Sequence, residues 1–216
     1  MTAEQIVLVG GLWLDASAWD GVVSELEGAV PVSLPVQPGA TLDDQVNAVL
    51  AVVDAAPGKS VVVGHSAACS LAWIVADRRP GRVAKVVLIG GFPNADGEAY
   101  AAFFPIVDGV MAFPGWEPFE GADSADLDDA ARQAFAAAAV PVPEGVAQGV
   151  VRLTDERRYD VPVVLICPEF TPAQVREWLA EGELPELARA KHLDLVDIGS
   201  GHWPMLTRPA ELAALL

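Results

Sequence analysis

The stretch Lys59-Ser-Val-Val-Val-Gly-His-Ser-Ala-Ala-Cys69 joins a β-branched apolar run to a helix-like segment through an abrupt break at Gly64. This order predicts a buried strand, a sharp turn with Ser66 at its apex, and a helix. Such a tight turn needs very small residues two positions before and after the serine, and Gly64 and Ala68 occupy these positions. The usual pattern ends in glycine, so Ala68 departs from it by one methyl group. A serine that only caps the following helix is the plainer interpretation of these five residues.

Length and composition point to one globular domain. The chain has 216 residues, of which 52% are hydrophobic, and this is enough for a large core. A net charge of −17 argues against nucleic acids and anionic membranes as partners, because both would repel the chain. Cys69 and Cys167 lie in apolar runs, where we expect buried, reduced thiols.

The apolar runs are too short for a membrane span or a targeting segment. None approaches the ~20 residues that cross a bilayer. The first five residues carry no basic flank, and the run at residues 6–9 is shorter than the core of a signal peptide. We therefore expect a cytoplasmic protein.

Apolar strands alternate with helices along most of the chain. Strands are predicted at residues 6–9, 30–34, 60–63, 83–89, 161–167 and 192–198, and helices at residues 17–26, 42–55, 66–77, 172–180 and 209–216. Strands that are apolar on both faces indicate a mostly parallel sheet covered by helices on both sides. The predicted fold class is α/β.

The pattern changes between residues 92 and 158. Glycine, proline and aromatic residues are frequent there, and an alanine-rich helix is predicted to start near Ser124. A stretch of this length without a strong strand indicates an insertion that lies over the sheet. We call residues 92–158 the cap.

A serine hydroxyl attacks carbonyl carbon only if a base takes its proton, and the chain has three histidines. His65 is the direct neighbour of Ser66, so its side chain should diverge and line the pocket or pack. His192 begins a strand at the opposite end of the sheet. His202 follows the carboxyl end of the last strand, at the same sheet edge as Ser66. His202 is therefore the predicted base.

The base in turn needs a carboxylate that orients its ring. Glu169 follows the strand at residues 161–167 after Pro168, and this gives the chain order serine, acid, histidine that α/β-hydrolases share. Asp96 is predicted at the same sheet edge, and Asp155 or Asp160 could serve if the cap folds back. These alternatives stay open, as does a solvated acid near a helix start for Glu169.

Acyl transfer also needs N–H donors for the oxyanion. Ala67, directly after Ser66, is one candidate. Leu12 or Trp13, in the loop after the first strand, is the other, with Leu12 preferred. Gly10 and Gly11 in that loop could also simply make a tight turn. No motif for a metal or a nucleotide is present, so no cofactor is predicted.

Taken together, these segments resemble the α/β-hydrolase superfamily, in particular small capped members such as bacterial esterases, plant methylesterases and hydroxynitrile lyases. The resemblance covers nearly the whole chain and rests on Val7-Leu-Val-Gly-Gly-Leu-Trp13 with Trp19, Val61-Val-Val-Gly-His-Ser-Ala-Ala68, residues 83–93, Val161-Pro-Val-Val-Leu-Ile-Cys167 and Gly201-His-Trp-Pro-Met205 with Arg208-Pro209. It implies Ser66 as nucleophile, His202 as base and an acid after the strand at residues 161–167. The family usually has His-Gly in place of Gly10-Gly11, and an aspartate in place of Glu169.

Aromatic residues suggest a pocket for a small or medium apolar group. The candidate pocket walls are Trp13, His65, Phe92, Phe103, Phe104, Met111, Phe113, Trp116 and Trp203. Packing of these aromatics under the cap is the plainer alternative. The acidic cap would not attract a carboxylate, which favours neutral esters, lactones or amides as the small-molecule substrate.

Three functions are compatible with these residues. The leading hypothesis is a serine hydrolase that acts on carboxylic esters through an acyl-enzyme. A cofactor-free lyase on the same scaffold is the second, although the resemblance implies a lysine beside the histidine in lyases, and Trp203 stands there. A non-catalytic receptor for a small molecule is the third, because fold and triad alone do not determine function.

Overall fold

The computed structural model of the protein describes residues 5–216. Residues 1–4, on which the expectation about a signal peptide partly rests, lie outside this range. The strands are β1 (Gln5–Val9), β2 (Ala29–Pro31), β3 (Ser60–His65), β4 (Val83–Ile89), β5 (Val110–Met111), β6 (Val142–Pro143), β7 (Val163–Cys167) and β8 (Leu193–Asp197). Within the described range, the central sheet has six strands in the order β2-β1-β3-β4-β7-β8, and all its pairs are parallel. The predicted fold class is confirmed.

Helices connect these strands. The α-helices are α1 (Asp20–Val23), α2 (Leu42–Ala55), α3 (Ala68–Arg78), α4 (Asp129–Ala138), α5 (Glu144–Ala147), α6 (Pro172–Glu181), α7 (Pro185–Ala188), α8 (Pro204–Thr207) and α9 (Pro209–Leu215). Short 3₁₀ helices lie at Ala16–Trp19, Glu117–Phe119 and Glu156–Asp160. The cap contributes α4, α5 and the small antiparallel pair β5–β6, and no part of it joins the central sheet.

The elements on either side of Ser66 are almost completely buried. Every residue of β3 is buried, and so are all residues of α3 except Arg78. A strand paired on both sides and a helix packed directly on the sheet leave little freedom at the turn between them. Ser66 therefore sits on a rigid base.

Several element boundaries differ from the sequence-based expectation. The second strand ends at Pro31 and not at residue 34, and its last contact with β1 is the bond from the N–H of Val32 to the carbonyl of Leu8 at 2.9 Å. The helix expected at residues 17–26 is a 3₁₀ turn followed by the four-residue helix α1. The helix expected near Ser124 begins at Asp129, because the side chain of Asp128 caps it by accepting from the N–H of Ala131 at 2.8 Å.

The start of the helix predicted at residue 42 and the two buried thiols agree with the sequence-based expectations. Thr41 caps α2 in a reciprocal pair with Asp44, whose carboxylate accepts from the N–H of Thr41 at 2.9 Å. Cys69 and Cys167 are both buried and free. Among residues 5–216, no helix combines the length and the apolar character that a membrane crossing requires.

A buried ionic cluster fixes the chain where it leaves the cap and enters β7. The guanidinium of Arg158 pairs with Asp77 of α3 at 3.1 Å and with Glu186 of α7 at 3.0 Å. Trp73 donates to the same Glu186 carboxylate at 2.9 Å. Because buried charges are stable only when they are paired, this cluster holds β7 and α7 in place beside α3.

Candidate active site

The turn between β3 and α3 has the geometry of a nucleophile elbow. Ser66 adopts a left-handed backbone conformation (φ 56°), which is uncommon for a residue other than glycine. A Cβ atom on Gly64 would lie 2.2 Å from the carbonyl oxygen of Ala68, so only glycine fits there. Ala68 is fully buried, and its methyl group is accommodated. Close backbone packing before and after Ser66 thus holds this residue in its strained conformation.

Ser66, His202 and Glu169 form one continuous hydrogen-bonded chain. The Ser66 hydroxyl donates to Nε2 of His202 across 2.9 Å. Nδ1–H of His202 donates to Oε1 of Glu169 across 2.7 Å. Both the histidine and the glutamate side chains are 14% exposed, so solvent reaches the pair only partly. These distances suit proton transfer from the hydroxyl to the ring, with the carboxylate orienting the ring.

The topology explains how three residues distant in sequence meet. Ser66 follows β3, Glu169 follows β7 and His202 follows β8, and these strands run parallel. Their carboxyl ends therefore share one edge of the sheet. His192, by contrast, directly precedes β8 at the other edge, as predicted.

The alternative acids are engaged elsewhere. Oδ1 of Asp96 accepts from the N–H of Leu153 at 2.9 Å. Asp155 caps the 3₁₀ helix that begins at Glu156 and pairs with Arg157. Asp160 pairs with Lys191. Of the four acids considered from the sequence, Glu169 is the one that contacts His202.

Backbone contacts hold His202 from two sides. Its N–H donates to the carbonyl of Asp123, in the cap, at 2.7 Å. Its carbonyl accepts from Nε2 of His65 at 2.8 Å. The side chain of His65 is buried and does not line the cleft beside Ser66, so His65 packs, which is one of the two roles predicted for it.

The candidate oxyanion donors flank Ser66. Ala67 follows it directly and precedes α3. Gly11 packs against the elbow so closely that a Cβ atom on it would lie 2.9 Å from Cβ of Ser66, and Leu12 comes next in the chain. Within residues 5–216, the N–H groups of Leu12 and Ala67 donate to no backbone carbonyl. Neither group is thus committed to a backbone partner, as a donor to an oxyanion must not be.

A cleft of about 390 Å³ opens beside Ser66 and Ala67. Its other walls are Gly90, Gly91, Phe92, Pro93, Asn94, Ala95, Glu98, Phe103, Glu183, Leu184 and Pro185. Phe92 and Phe103 thus line the cleft, as the sequence suggested. Asn94 is fixed by Ser70, whose hydroxyl donates to it at 2.7 Å and accepts from its N–H at 2.9 Å.

The expectation that Trp13, Trp116 and Trp203 line this cleft is wrong. These residues belong to an aromatic cluster between the cap and the sheet, in which Trp116 and Trp203 meet edge to face at 5.4 Å. Phe104, Phe113, Phe119 and Phe135 complete the cluster. Met111 is also fully buried and accepts from the indole N–H of Trp13. Large rings bury much apolar area by packing on each other, so the residues of this cluster attach the cap and do not line the cleft beside Ser66.

Two acidic residues of the cap, Asp123 and Asp126, lie at the site although the sequence did not predict a role for them. Asp126 accepts from the N–H of Gly201 at 2.9 Å, next to the Asp123 contact with His202. Burial raises the pKa of the Asp123 carboxyl, His202 opposes this rise, and the charge of Glu169 adds to it. No periodic pattern or motif marks residues 123–126, because their role depends on how the cap docks. Among residues 5–216, this site included, no cluster of three His, Cys, Asp or Glu side chains could hold a metal ion.

Protonation of His65 should limit stability in mild acid. Burial, reinforced by the nearby His202, holds the pKa of His65 well below its usual value. The unfolded chain binds a proton near pH 6.5 and the folded protein does not, so the free energy of unfolding should fall below that pH by up to about 1.4 kcal/mol per pH unit. Urea unfolding between pH 7.5 and 5.5 measures this slope. The slope of unfolding free energy against pH should be shallower in His65→Gln, whose amide can still donate to the carbonyl of His202. The slope should be unchanged in the exposed control His192→Gln. Equal slopes in wild type and His65→Gln would contradict the assignment.

The parallel sheet, the elbow serine and the histidine–acid pair at its carboxyl edge define an α/β-hydrolase fold. The sequence model of the alpha/beta hydrolase family matches residues 6–215, and the chain belongs to this family. A comparison with curated proteins finds no matching sequence.

Solved structures of similar fold extend over nearly the whole chain. An extracellular α/β-hydrolase from a Paenibacillus species, described as homologous in structure and function to tobacco salicylic acid binding protein 2, is 20% identical, with a TM-score of 0.76 over 98% of this chain and 97% of its own. The methylesterase MES16 from Arabidopsis is 16% identical, with a TM-score of 0.74 over 99% and 97%. A pyrethroid hydrolase from Sphingobium faniae is 18% identical, with a TM-score of 0.73 over 98% and 95%. At these identities the likeness concerns the fold.

Proposed function

We propose that this protein is a serine hydrolase that cleaves small neutral carboxylic esters, or related lactones and amides, through an acyl-enzyme. Ser66 is the nucleophile, His202 the base and Glu169 the orienting acid. The observation that carries the proposal is the unbroken hydrogen-bonded chain Ser66–His202–Glu169 on a strained elbow beside an open cleft. A serine that merely caps a helix needs neither the histidine nor the carboxylate.

Each step of the reaction has a group to perform it. His202 takes the proton of the Ser66 hydroxyl as the oxygen attacks the ester carbonyl, and Glu169 stabilises the imidazolium that forms. The N–H groups of Leu12 and Ala67 stabilise the negative charge on the carbonyl oxygen. His202 then protonates the departing alcohol, and a water molecule, deprotonated by the same ring, releases the acid and restores Ser66.

The names of the structural neighbours agree with this class of reaction. They include a methylesterase, a pyrethroid hydrolase and polyneuridine aldehyde esterase. Family membership supports hydrolase chemistry in general. The roles of individual residues rest on the geometry of the site.

Burst kinetics with p-nitrophenyl acetate tests the proposal. An acyl-enzyme that forms faster than it hydrolyses releases about one equivalent of p-nitrophenolate before the slower steady state. We expect such a burst, or at least steady turnover that saturates with substrate. A folded protein that shows neither turnover nor burst with acetate, butyrate and octanoate esters would refute the proposal, and proton-transfer lyase or ligand-binding assays would follow.

The cleft should discriminate against negative charge on the substrate. Glu98 and Glu183 line it, and no lysine or arginine does so. Exposed carboxylates repel an anion by up to about 1 kcal/mol each, so kcat/KM for p-nitrophenyl hemisuccinate should be roughly 10-fold below that for the butyrate ester at low salt.

Neutralising the two carboxylates should remove this difference. In the Glu98→Gln/Glu183→Gln double variant, kcat/KM for the hemisuccinate should rise several-fold while that for the butyrate stays constant. The variant Glu25→Gln/Glu27→Gln changes the net charge equally away from the cleft and serves as the matched control. If both double variants behave alike, the selectivity comes from the overall charge and not from the cleft.

A further inference from the structure

The loop that carries His202 is joined to the cap by two hydrogen bonds. The N–H of Gly201 donates to Oδ2 of Asp126 at 2.9 Å, and the N–H of His202 donates to the carbonyl oxygen of Asp123 at 2.7 Å. Both acceptors come from the short segment that precedes α4. The catalytic loop thus depends on the cap as well as on the sheet.

The fit between loop and cap is too close for any side chain at position 201. A Cβ atom on Gly201 would lie 2.3 Å from Oδ1 of Asp126 and 2.4 Å from the carbonyl oxygen of Asp123. Gly201 is buried in this contact. Such an approach of backbone to carboxylate needs glycine, so Gly201 and Asp126 are matched to each other.

Elsewhere the loop is held at its two ends, where the N–H of Gly199 donates to Asp197 at 3.3 Å and the carbonyl of His202 accepts from Nε2 of His65 at 2.8 Å. Neither bond engages the N–H of Gly201. The loop begins at Gly199, which adopts a left-handed conformation (φ 58°), and its two glycines leave the backbone free to choose other conformations. A charge-assisted bond from a carboxylate to a backbone N–H is about twice as strong as a neutral one. Asp126 therefore restrains the residue directly before His202.

We propose that Asp126 is a positioning residue for His202: its carboxylate holds the Gly201 N–H and thereby keeps Nε2 of His202 within reach of Ser66. The inference rests on the proposed function, because it assigns Asp126 a part in the same reaction. Asp126 acts through the backbone of the loop. A displacement of the ring by about 1 Å is enough to lower the rate about 10²-fold.

Three variants separate positioning from cap stability. Asp126→Ala removes the acceptor, Asp126→Asn keeps an amide oxygen that accepts from the same N–H, and Asp128→Ala removes the cap of α4 without contacting the His202 loop. For p-nitrophenyl butyrate we expect Asp126→Ala to lower kcat by about 10-fold or more with KM within 2-fold. Asp126→Asn should keep at least half of kcat. Asp128→Ala should lower the melting temperature while kcat stays near that of wild type.

Two results would overturn the proposal. One is an Asp126→Ala variant with wild-type kcat. The other is an equal loss of kcat in Asp126→Ala and Asp128→Ala, which would indicate general loosening of the cap.

Proton NMR of the His202 side chain separates this proposal from the proposed function. The Nδ1–H shared with Glu169 should give a protected downfield resonance in wild type and Asp126→Asn, and a weakened or shifted one in Asp126→Ala. If wild type hydrolyses no ester, the proposed function fails, while this resonance still reports whether Asp126 positions the ring. An unchanged resonance in Asp126→Ala would overturn the positioning role whatever the activity.

Discussion

Replacing Ser66 by alanine should lower kcat for p-nitrophenyl butyrate by about 10⁵-fold or more, since loss of the nucleophile in a serine hydrolase removes most of the rate enhancement. The hydroxyl oxygen is the atom that forms the acyl bond, and no neighbouring group can replace it. Cys69, one turn further on, is fully buried, and burial raises the pKa of its thiol far above neutral. Stopped-flow and overnight assays together cover the required range of rates.

The Ser66→Ala variant should still fold normally. Alanine keeps the Cβ atom at the left-handed position, so the backbone strain at residue 66 is the same in both proteins. The melting temperature should therefore change little. Ser24→Ala, at an exposed serine that donates to Gly21, is the matched control and should retain full activity. More than about 1% residual kcat in Ser66→Ala would show that another group is the nucleophile.

Replacing Glu169 by glutamine should lower kcat by roughly 10³- to 10⁴-fold with little change in KM, as expected when the orienting acid of a triad becomes an amide. The amide no longer stabilises the imidazolium that forms when His202 takes the Ser66 proton. Its N–H₂ group can also face Nδ1 and favour the wrong tautomer of the ring. The side chain keeps its size, so binding of substrate in the cleft is preserved.

Parallel variants decide between the candidate acids. Asp96→Asn should keep near wild-type kcat, because its carboxylate binds the backbone of Leu153 and does not reach His202. Glu177→Gln, at an exposed glutamate of α6, controls for the loss of one negative charge. If Asp96→Asn lost activity while Glu169→Gln kept it, the assignment of the acid would be wrong.

Topology explains why the sequence could predict which residues meet. Parallel strands bring their carboxyl ends to one edge, so placing Ser66, Glu169 and His202 each after such a strand already brings them together. Local chemistry made each placement possible: Gly64 marks the sharp turn, and Gly199 and Gly201 mark the loop around the histidine. The hydrogen-bonded chain in the structure agrees with that prediction of proximity.

The contacts of the cap could not be predicted from strand order. Its contacts depend on long-range docking and not on strand order, so nothing local to Trp116 or Trp203 distinguishes packing from pocket lining. For the same reason the sequence does not predict a role for Asp126, whose carboxylate accepts from the N–H of Gly201, 75 residues away in sequence. The boundaries of the cap at residues 92–158 and the cytoplasmic location stay predictions.

Intact-mass analysis after exposure to a fluorophosphonate tests the central claim, an activated serine at position 66, most directly. We expect stoichiometric addition of one phosphonyl group to wild type, no addition to Ser66→Ala, and much slower addition to Glu169→Gln. Absence of labelling in a folded wild-type protein, or labelling that persists in Ser66→Ala, would contradict the claim.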